Sequence, residues 1–497
     1  MGQEIELKLA LPPRAVAALG RHPLFAGAPA VGPRQTLINT YFDTPDLLLK
    51  GQRIALRTRR QGRHWLQTVK GGGDYAGGLS HRPEWEHPYH GQFDFSPVDA
   101  PALRALLEHQ APRLTPLFTT HFRRETRRHA PRPGVEILLM LDQGRVEAAG
   151  RHARLCELEL ELVQGGVADL FELAQALAAD LPLAPEDLSK AQRGYQLFLD
   201  QPLQPMKALP SRIAATDEPL AAFRSLALDC VRQWQANANA AATSPDPELI
   251  HQIRVALRRL RSLLRLMAPC LPPGFVAEWA PRLAAEATRL GDARDLDVLL
   301  TTILAPVEGA STPPAGLPRL RQQAETHRQQ AHRQARTALV QGLHGRAILA
   351  FMAALHALPP TPADGLPLDT LARQRLAQLA RRARKRAKVA RREPRPERLH
   401  ALRIALKRMR YGMEFFLPLL PAKATERFLA RLATAQDQLG YLNDLTQAQR
   451  HFQAWSGPRV ELREAAGFVA GWHAPQVSHL SARLPRRIAR LLKTLPY

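Results

Sequence analysis

Cysteine is nearly missing from this chain: three residues, Cys156, Cys230 and Cys270, in 497. An odd number at wide spacing makes neither a disulfide framework nor a zinc motif, and it points to a reducing compartment. Aromatic residues are also scarce, 6% of the chain, and no platform for stacking bases stands out. Long apolar runs are missing too. The longest, around Ala347–Leu358, is too short to cross a bilayer. The first residues show no basic stretch followed by an apolar one, so a secretory leader is not expected. These absences predict a soluble, cytoplasmic protein without a membrane partner.

Positive charge is abundant, and it is unevenly spread. The formal net charge is +24. Residues 1–200 hold 24 Lys and Arg against 23 Asp and Glu, whereas the remainder holds 45 against 22. Only the C-terminal part is a polycation, so its partner should be a polyanion. At this length the chain has room for two or three domains. Pro202, Pro205 and Pro210 mark a linker, which divides the chain into 1–200, a connection at 201–214 and a helical region at 215–490.

The first part alternates strand-like runs with turns. In Glu4-Ile5-Glu6-Leu7-Lys8 the ionic residues fall on one face and the apolar ones on the other. Arg53–Arg59 puts Arg53, Arg57 and Arg59 opposite Ile54 and Leu56, and Leu66–Lys70 ends in a lysine before three glycines. Arg82, Glu84 and Glu86 share a face, as do Thr120, Phe122 and Arg124, and Glu157, Glu159 and Glu161 alternate with leucines. Helices are expected at Val167–Asp180 and Leu188–Leu199. A solvated face is the plain alternative, but solvated strands mix Thr, Ser, Gln and Lys. Here carboxylates and cations are segregated by strand. Like charges about 7 Å apart along a strand need counter-ions. An antiparallel barrel with its ionic face inward resolves both oddities, with carboxylates for hard cations and Arg and Lys for phosphate.

After the linker the pattern is helical, broken at Ala305–Pro318 and Pro359–Pro367. It contains a repeat. His251-x-x-Arg254-Val255-Ala256-Leu257-Arg258-Arg259-x-Arg261 corresponds to His400-x-x-Arg403-Ile404-Ala405-Leu406-Lys407-Arg408-x-Arg410, an offset of 149 residues. Leu290-Gly291-x-x-Arg294-Asp295-Leu296 and Leu439-Gly440-x-x-Asn443-Asp444-Leu445 repeat at the same offset. His251, Arg254, Arg258, Arg261 and Arg265 make a ridge along one helix, with Ile250, Ile253, Leu257, Leu260 and Leu264 as its apolar stripe. The second ridge is His400, Arg403, Lys407 and Arg410, ending at Glu414. A duplicated row of cations calls for an anion lying along it. The dense run Arg381–Lys388 reads equally well as solvated surface.

Two family resemblances carry these patterns further. Glu4-x-Glu6-x-Lys8, Tyr41-Phe42-Asp43-Thr44-Pro45, Leu56-Arg57-Thr58-Arg59, Gln67-Thr68-Val69-Lys70, Arg82-x-Glu84-x-Glu86, Leu141-Asp142-x-Gly144 and Glu157-x-Glu159-x-Glu161 stand in the order of CYTH domains, the triphosphate tunnel metalloenzymes. Ser189-Lys190 with Gly194-Tyr195 resembles that family's closing helix. The resemblance implies an eight-stranded antiparallel tunnel acting on triphosphates with Mg2+ or Mn2+. It makes Glu4, Glu6, Glu159 and Glu161 metal ligands, with Asp142 and Glu157 as further candidates. Lys8, Arg57, Arg59, Lys70, Arg82 and Arg124 would clamp the triphosphate, supported by Glu84, Glu86 and Lys190. Lys8, with Glu4 and Glu6, would serve the attacking water. Parity from Phe122 favours Arg124 over Arg123 as the inward residue.

The repeat resembles the CHAD domain, which implies two duplicated four-helix bundles with a basic channel for inorganic polyphosphate. His251, Arg254, Arg258, Arg261, Arg265, His400, Arg403, Lys407 and Arg410 would line it. Tyr441 in place of Asp292 is a departure between the copies. Base readout would want Asn or Gln beside the arginines, and RNA would want exposed aromatics. The ridges offer neither, so nucleic acid is not expected. The expectation is an α+β multidomain protein, a metal-dependent inorganic triphosphatase cleaving tripolyphosphate to pyrophosphate and phosphate and associated with polyphosphate granules. The alternatives are a granule-docking protein with a decayed tunnel, or an enzyme acting on ATP or thiamine triphosphate, including a cyclase.

Overall fold

A computed structural model describes residues 2–359 and 366–496. The chain divides into two compact units. One takes in Met1–Met206, Ala238–Thr243 and Ala338–Leu358; the other takes in Lys207–Asn237, Ser244–Thr337 and Pro359–Tyr497.

The first unit is built on ten strands: β1 Gly2–Ala10, β2 Gln35–Asp43, β3 Ala55–Gln61, β4 His64–Lys70, β5 Asp74–Ala76, β6 Leu79–Pro88, β7 Thr115–His129, β8 Glu136–Ala148, β9 Arg151–Gln164 and β10 Ala184–Pro185. Eight of them close into an antiparallel barrel in the order β1-β9-β8-β7-β2-β3-β4-β6, with β6 returning to β1. Closure leaves no free edge among these eight. Strand alternation then sorts the side chains. Leu7, Leu9, Leu158 and Leu160 face outward and are fully covered. The helix Val167–Asp180 lies over them with Leu170, Phe171, Leu173 and Leu177 buried. On the opposite wall, Leu56, Val69 and Trp85 pack with Phe95, Val98 and Leu107 under the helix Pro101–Gln110. The ionic residues of the same strands are left facing inward.

Arg53 does not continue β3. The strand begins at Ala55, and Arg53 sits in the preceding turn with a φ of 59°. The Asp43 carboxylate fixes this turn by accepting from the amides of Leu49 and Lys50 at 2.8 and 2.9 Å.

The run Ala347–Leu358 owes its apolar character to packing in this unit. It falls largely in the helix Leu343–His356, whose Ile348, Leu349, Phe351, Met352 and Leu355 are buried. That helix lies against Val167–Asp180, where the rings of His356 and Phe171 stack 5.4 Å apart. Met352 presses on the β5–β6 turn at Gly77, whose φ of +64° and lack of a side chain permit the approach. Among the described residues no single helix is long and apolar enough to cross a membrane.

The second unit is helical, and the duplication is visible in its element boundaries. Pro247–Leu266 and Pro396–Phe415 each span 20 residues, and each begins with proline in the first turn. Each is followed by a short 3-10 turn, Ala268–Cys270 and Leu417–Leu419. All these bounds differ by 149. Beyond them the copies part: Ala422–Ser456 is one helix, whereas its counterpart is broken at Leu290 and unwinds into a π turn at Leu299–Leu304. The break at Pro359–Pro367 lies mostly outside the described residues.

Candidate functional site

The strand register brings the tunnel groups together. Glu6 pairs across from Glu161 and Lys8 from Glu159, while Glu4 stands opposite Arg82. Lys70 is opposite Glu84, and Arg124 is opposite Asp142. A cavity of about 200 Å³ in the barrel is lined by Glu4, Glu6, Lys8, Arg57, Arg59, Lys70, Arg82, Glu84, Glu86, Arg124, Glu159, Glu161 and Lys190. Arg124 lines it, and Arg123 is exposed.

Within that cavity charges pair in two groups. Lys70 Nζ donates to both Glu4 oxygens at 2.8 Å and stands 3.0 Å from Glu84. Arg82 reaches Glu4 and Glu6, each at 3.1 Å. Arg57 lies 3.7 Å from Glu84 and from Glu86, and Arg59 lies 3.5 Å from Glu86. Burial opposes the charged form of Arg57, but Tyr41, Glu84 and Glu86 outweigh it and raise its pKa. Arg59 is pulled down to about 10 by burial and by Arg57 beside it. Lys8 Nζ sits 3.7 Å from Glu6 and 3.9 Å from Glu159.

The second group surrounds Lys190, at the start of the helix Lys190–Phe198 that Ser189 caps. Its Nζ lies 2.5 Å from Glu157, 2.7 Å from Asp142 and 2.8 Å from Glu159. Arg124 bridges Asp142 and Glu159 at 2.6 Å each. Burial works against the Glu159 carboxylate, yet Lys190, Arg124 and Lys8 hold it well below the usual range. Lys190 is correspondingly raised, against burial, by Asp142, Glu157 and Glu159.

Two sets of carboxylates thus differ in their fitness for a cation. Asp142, Glu157 and Glu159 offer oxygens within 4.8 Å of one another, a spacing that a metal could use. Their charge is met by Lys190 and Arg124, as that of Glu4 and Glu6 is met by Lys70 and Arg82. Glu161 is different: burial, then the neighbouring Glu4 and Glu6 carboxylates, push it up to about 7. A buried carboxylate pushed up further by two carboxylate neighbours is a place where a hard divalent cation could fit. Glu4, Glu6 and Glu161 would be its ligands, with Glu159 two residues along β9 from Glu161.

Arg193 carries no motif in the sequence, and Tyr41, Asp43 and Tyr195, which stand in motifs, have pairings that only the fold brings about. Arg193 lies 3.2 Å from both Glu157 and Glu186; its spacing of three from Lys190 on one helix was the available signal. Tyr41 lines the cavity beside Arg57 and stacks on Phe118 at 4.8 Å. Asp43 ties the closing helix to β2 by accepting from Tyr195 Oη at 2.7 Å.

In the helical unit the two ridges meet. Arg258 Nε donates to Tyr411 Oη at 2.8 Å, and Arg259 pairs with Glu414. Arg258, Arg403 and Lys407 crowd one another: burial, then Arg258 and Arg403, pull Lys407 down to about 6. His251 is lowered by burial and by Arg294. Arg261 and Arg265 are lowered by burial and by neighbouring arginines. Besides Arg258, other predicted groups are already engaged. Arg254 donates to the Ala287 carbonyl at 2.8 Å, Arg410 donates to Glu414 at 2.7 Å, and the exposed His400 pairs with Asn443.

Fold and site together define an antiparallel tunnel protein with a matched ionic interior, joined to a duplicated helical unit with a basic seam. Residues 2–195 match the CYTH domain family and residues 225–453 the CHAD domain family, so the chain carries a CYTH domain followed by a CHAD domain. An inorganic triphosphatase from Haemophilus influenzae is 32% identical over 199 residues, 40% of this chain and 55% of that protein. The chain therefore matches just over half the length of that relative. The crystal structure of the CHAD domain from the plant Ricinus communis is 29% identical, with a TM-score of 0.50, covering 59% of this chain and 97% of that one. A Hippeastrum protein named for adenylyl cyclase, with a dominant triphosphatase activity, is 20% identical over 39% of this chain and 96% of its own, with a TM-score of 0.31.

Proposed function

We propose that this protein is a metal-dependent inorganic triphosphatase that cleaves tripolyphosphate to pyrophosphate and phosphate, using Mg2+ or Mn2+, and that its helical unit binds inorganic polyphosphate. The carrying observation is the cavity inside the closed barrel, in which Glu4, Glu6 and Glu161 stand beside Lys8, Arg57, Arg59, Lys70, Arg82 and Arg124. Seven cations and six carboxylates line it, so it is nearly balanced. Neither a cation nor an anion can enter alone without upsetting that balance, whereas metal and phosphate entering together preserve it.

A divalent cation bound there would neutralise phosphate charge and acidify a water. The remaining work falls to the chain. Lys70 and Arg82, now paired with Glu4 and Glu6, would pass to phosphate oxygens as those carboxylates turn to metal. Arg57 and Arg59 are held toward the cavity by Glu84 and Glu86. Lys8, 4% exposed, stands between Glu6 and Glu159 where it can orient the attacking water. Phosphoryl transfer needs chiefly this positioning and charge neutralisation. Tyr41 is the sole aromatic ring lining the central cavity among the described residues, and one of its faces is covered by Phe118. Within the central cavity itself that leaves no shelf for a nucleobase or thiamine ring and favours a bare phosphate chain there.

The helical unit would take polyphosphate along Arg258, Arg403 and Lys407, whose mutual crowding an anion would relieve. A cytoplasmic place beside polyphosphate granules follows from that role. The test is phosphate release from tripolyphosphate, ATP and thiamine triphosphate with Mg2+ or Mn2+, in wild type and Glu6→Ala. Tripolyphosphate should be preferred and Glu6→Ala nearly inactive. Equal inactivity of both on all three would leave a binding protein with a silent tunnel.

A further inference from the structure

A second cavity, of about 280 Å³, opens from the first and shares Glu6, Lys8, Lys70 and Arg82 with it. It lies where the closing helix meets the start of β3 and the turn after β4, since Ser189, Gln192, Ala55 and Gly71 also line it. Its own cations are Lys50 and Arg53. Of its own carboxylates, Glu186 is met by Arg193 at 3.2 Å, while Asp187 accepts from the Gly78 amide at 2.8 Å and keeps its charge. Lys50 and Arg53, both exposed, therefore exceed Asp187 by a single positive charge at this mouth of the tunnel.

The backbone points the same way. Arg53 follows the short helix Leu48–Gly51, with its amide bonded to the Lys50 carbonyl at 3.0 Å and the Ile54 amide bonded to the Leu49 carbonyl at 2.8 Å. A left-handed residue just past a helix is usually glycine. Here the φ of 59° is taken by an arginine. A side chain kept in a disfavoured conformation beside a cavity suggests a use for that side chain. Asp43 holds the same turn rigid through the Leu49 and Lys50 amides.

We propose that Lys50 and Arg53 form a subsite for phosphates beyond the third, so that the tunnel also cleaves linear chains of four or more phosphates. This rests on the triphosphatase reading above and extends its substrate class. Each cleavage consumes one water: its oxygen bonds to phosphorus, the bridging P–O bond breaks with its electron pair leaving on the departing phosphate oxygen, and a proton passes to the medium. The groups around the first three phosphates are unchanged; Lys50 and Arg53 meet only the overhanging part.

The experiment compares tripolyphosphate with tetrapolyphosphate on the full chain, in wild type, Lys50→Ala, Arg53→Gly and the double variant. Arg53→Gly removes the guanidinium and relieves the backbone at once, so its melting temperature should equal or exceed that of wild type. The double variant should keep kcat/KM for tripolyphosphate and lose about tenfold or more for tetrapolyphosphate, the scale of one charge-assisted hydrogen bond. Wild type that turns over tripolyphosphate but not tetrapolyphosphate overturns the subsite, as does an equal loss on both substrates in the double variant. Absence of tripolyphosphate turnover in wild type removes the underlying activity instead.

Discussion

Lys407 is an ammonium held among guanidinium groups. Burial comes first, then Arg258 and Arg403, and together they pull it down to about 6. In the free protein it is therefore largely neutral at pH 8 and charged at pH 5. A polyanion on the seam favours the charged form, so binding above pH 6 takes up a proton. Affinity for polyphosphate should fall as pH rises from 6 to 8, by up to about tenfold per unit for one linked proton. Calorimetry in buffers of different ionisation enthalpy reads the proton directly, and Lys407→Met should reduce the uptake by about one proton, any remainder falling to His251. Binding without a pH dependence would place the anion elsewhere. The ridge positions were legible because cations at helical spacing, repeated at one offset, have few bland explanations. The pairings of Arg410 with Glu414 and of Arg254 with the Ala287 carbonyl were not, since they depend on helices adjacent only in the fold.

At the scale of the element, the closing helix is a plug whose seat is one ring. A methyl group at Gly194 would stand 2.0 Å from Phe118. Gly194→Ala should therefore push the helix off β7 and carry Lys190 away from Asp142, Glu157 and Glu159. Overpacking of this kind costs about 1–3 kcal/mol. Tripolyphosphate turnover should drop with it, while polyphosphate binding by the helical unit stays. A melting curve and paired assays check this, and unchanged turnover would mean that the plug is dispensable. The barrel strands were legible by period alone, because each carries one ionic and one apolar face. The start of β3 was not. Arg53 obeys the alternation of Arg57 and Arg59, and only the left-handed turn takes it out of the strand. Glu161 reads in sequence like Glu157 and Glu159. What separates them is Lys190, supplied by a helix 30 residues later, which meets two of the three.

At the scale of the molecule, the barrel unit is discontinuous. Ala338–Leu358 packs with it, through the helix Leu343–His356 on Val167–Asp180 and Met352 on the Gly77 turn. Nothing in the sequence gave away this allegiance, since an apolar helix in a helical region looks like core wherever it lies. A fragment of residues 1–200 should therefore expose the apolar face that Ile348, Leu349, Phe351, Met352 and Leu355 cover. Several buried side chains at about 1.5–3 kcal/mol each are lost, so thermal inactivation should come on the order of 10 °C below that of the full chain. Equal half-lives at a common temperature would show the barrel to be self-sufficient.

That threading also sets a timetable for synthesis. The tunnel strands and closing helix are complete by Phe198, but the helix that finishes their cover is not made until roughly 160 residues later, on the order of 10–30 s at ribosomal rates. During that interval the face of Val167–Asp180 is open on a nascent chain, a hazard for aggregation. A gene fusion that moved the first 200 codons alone would make the hazard permanent, so the two halves of this gene are expected to travel together.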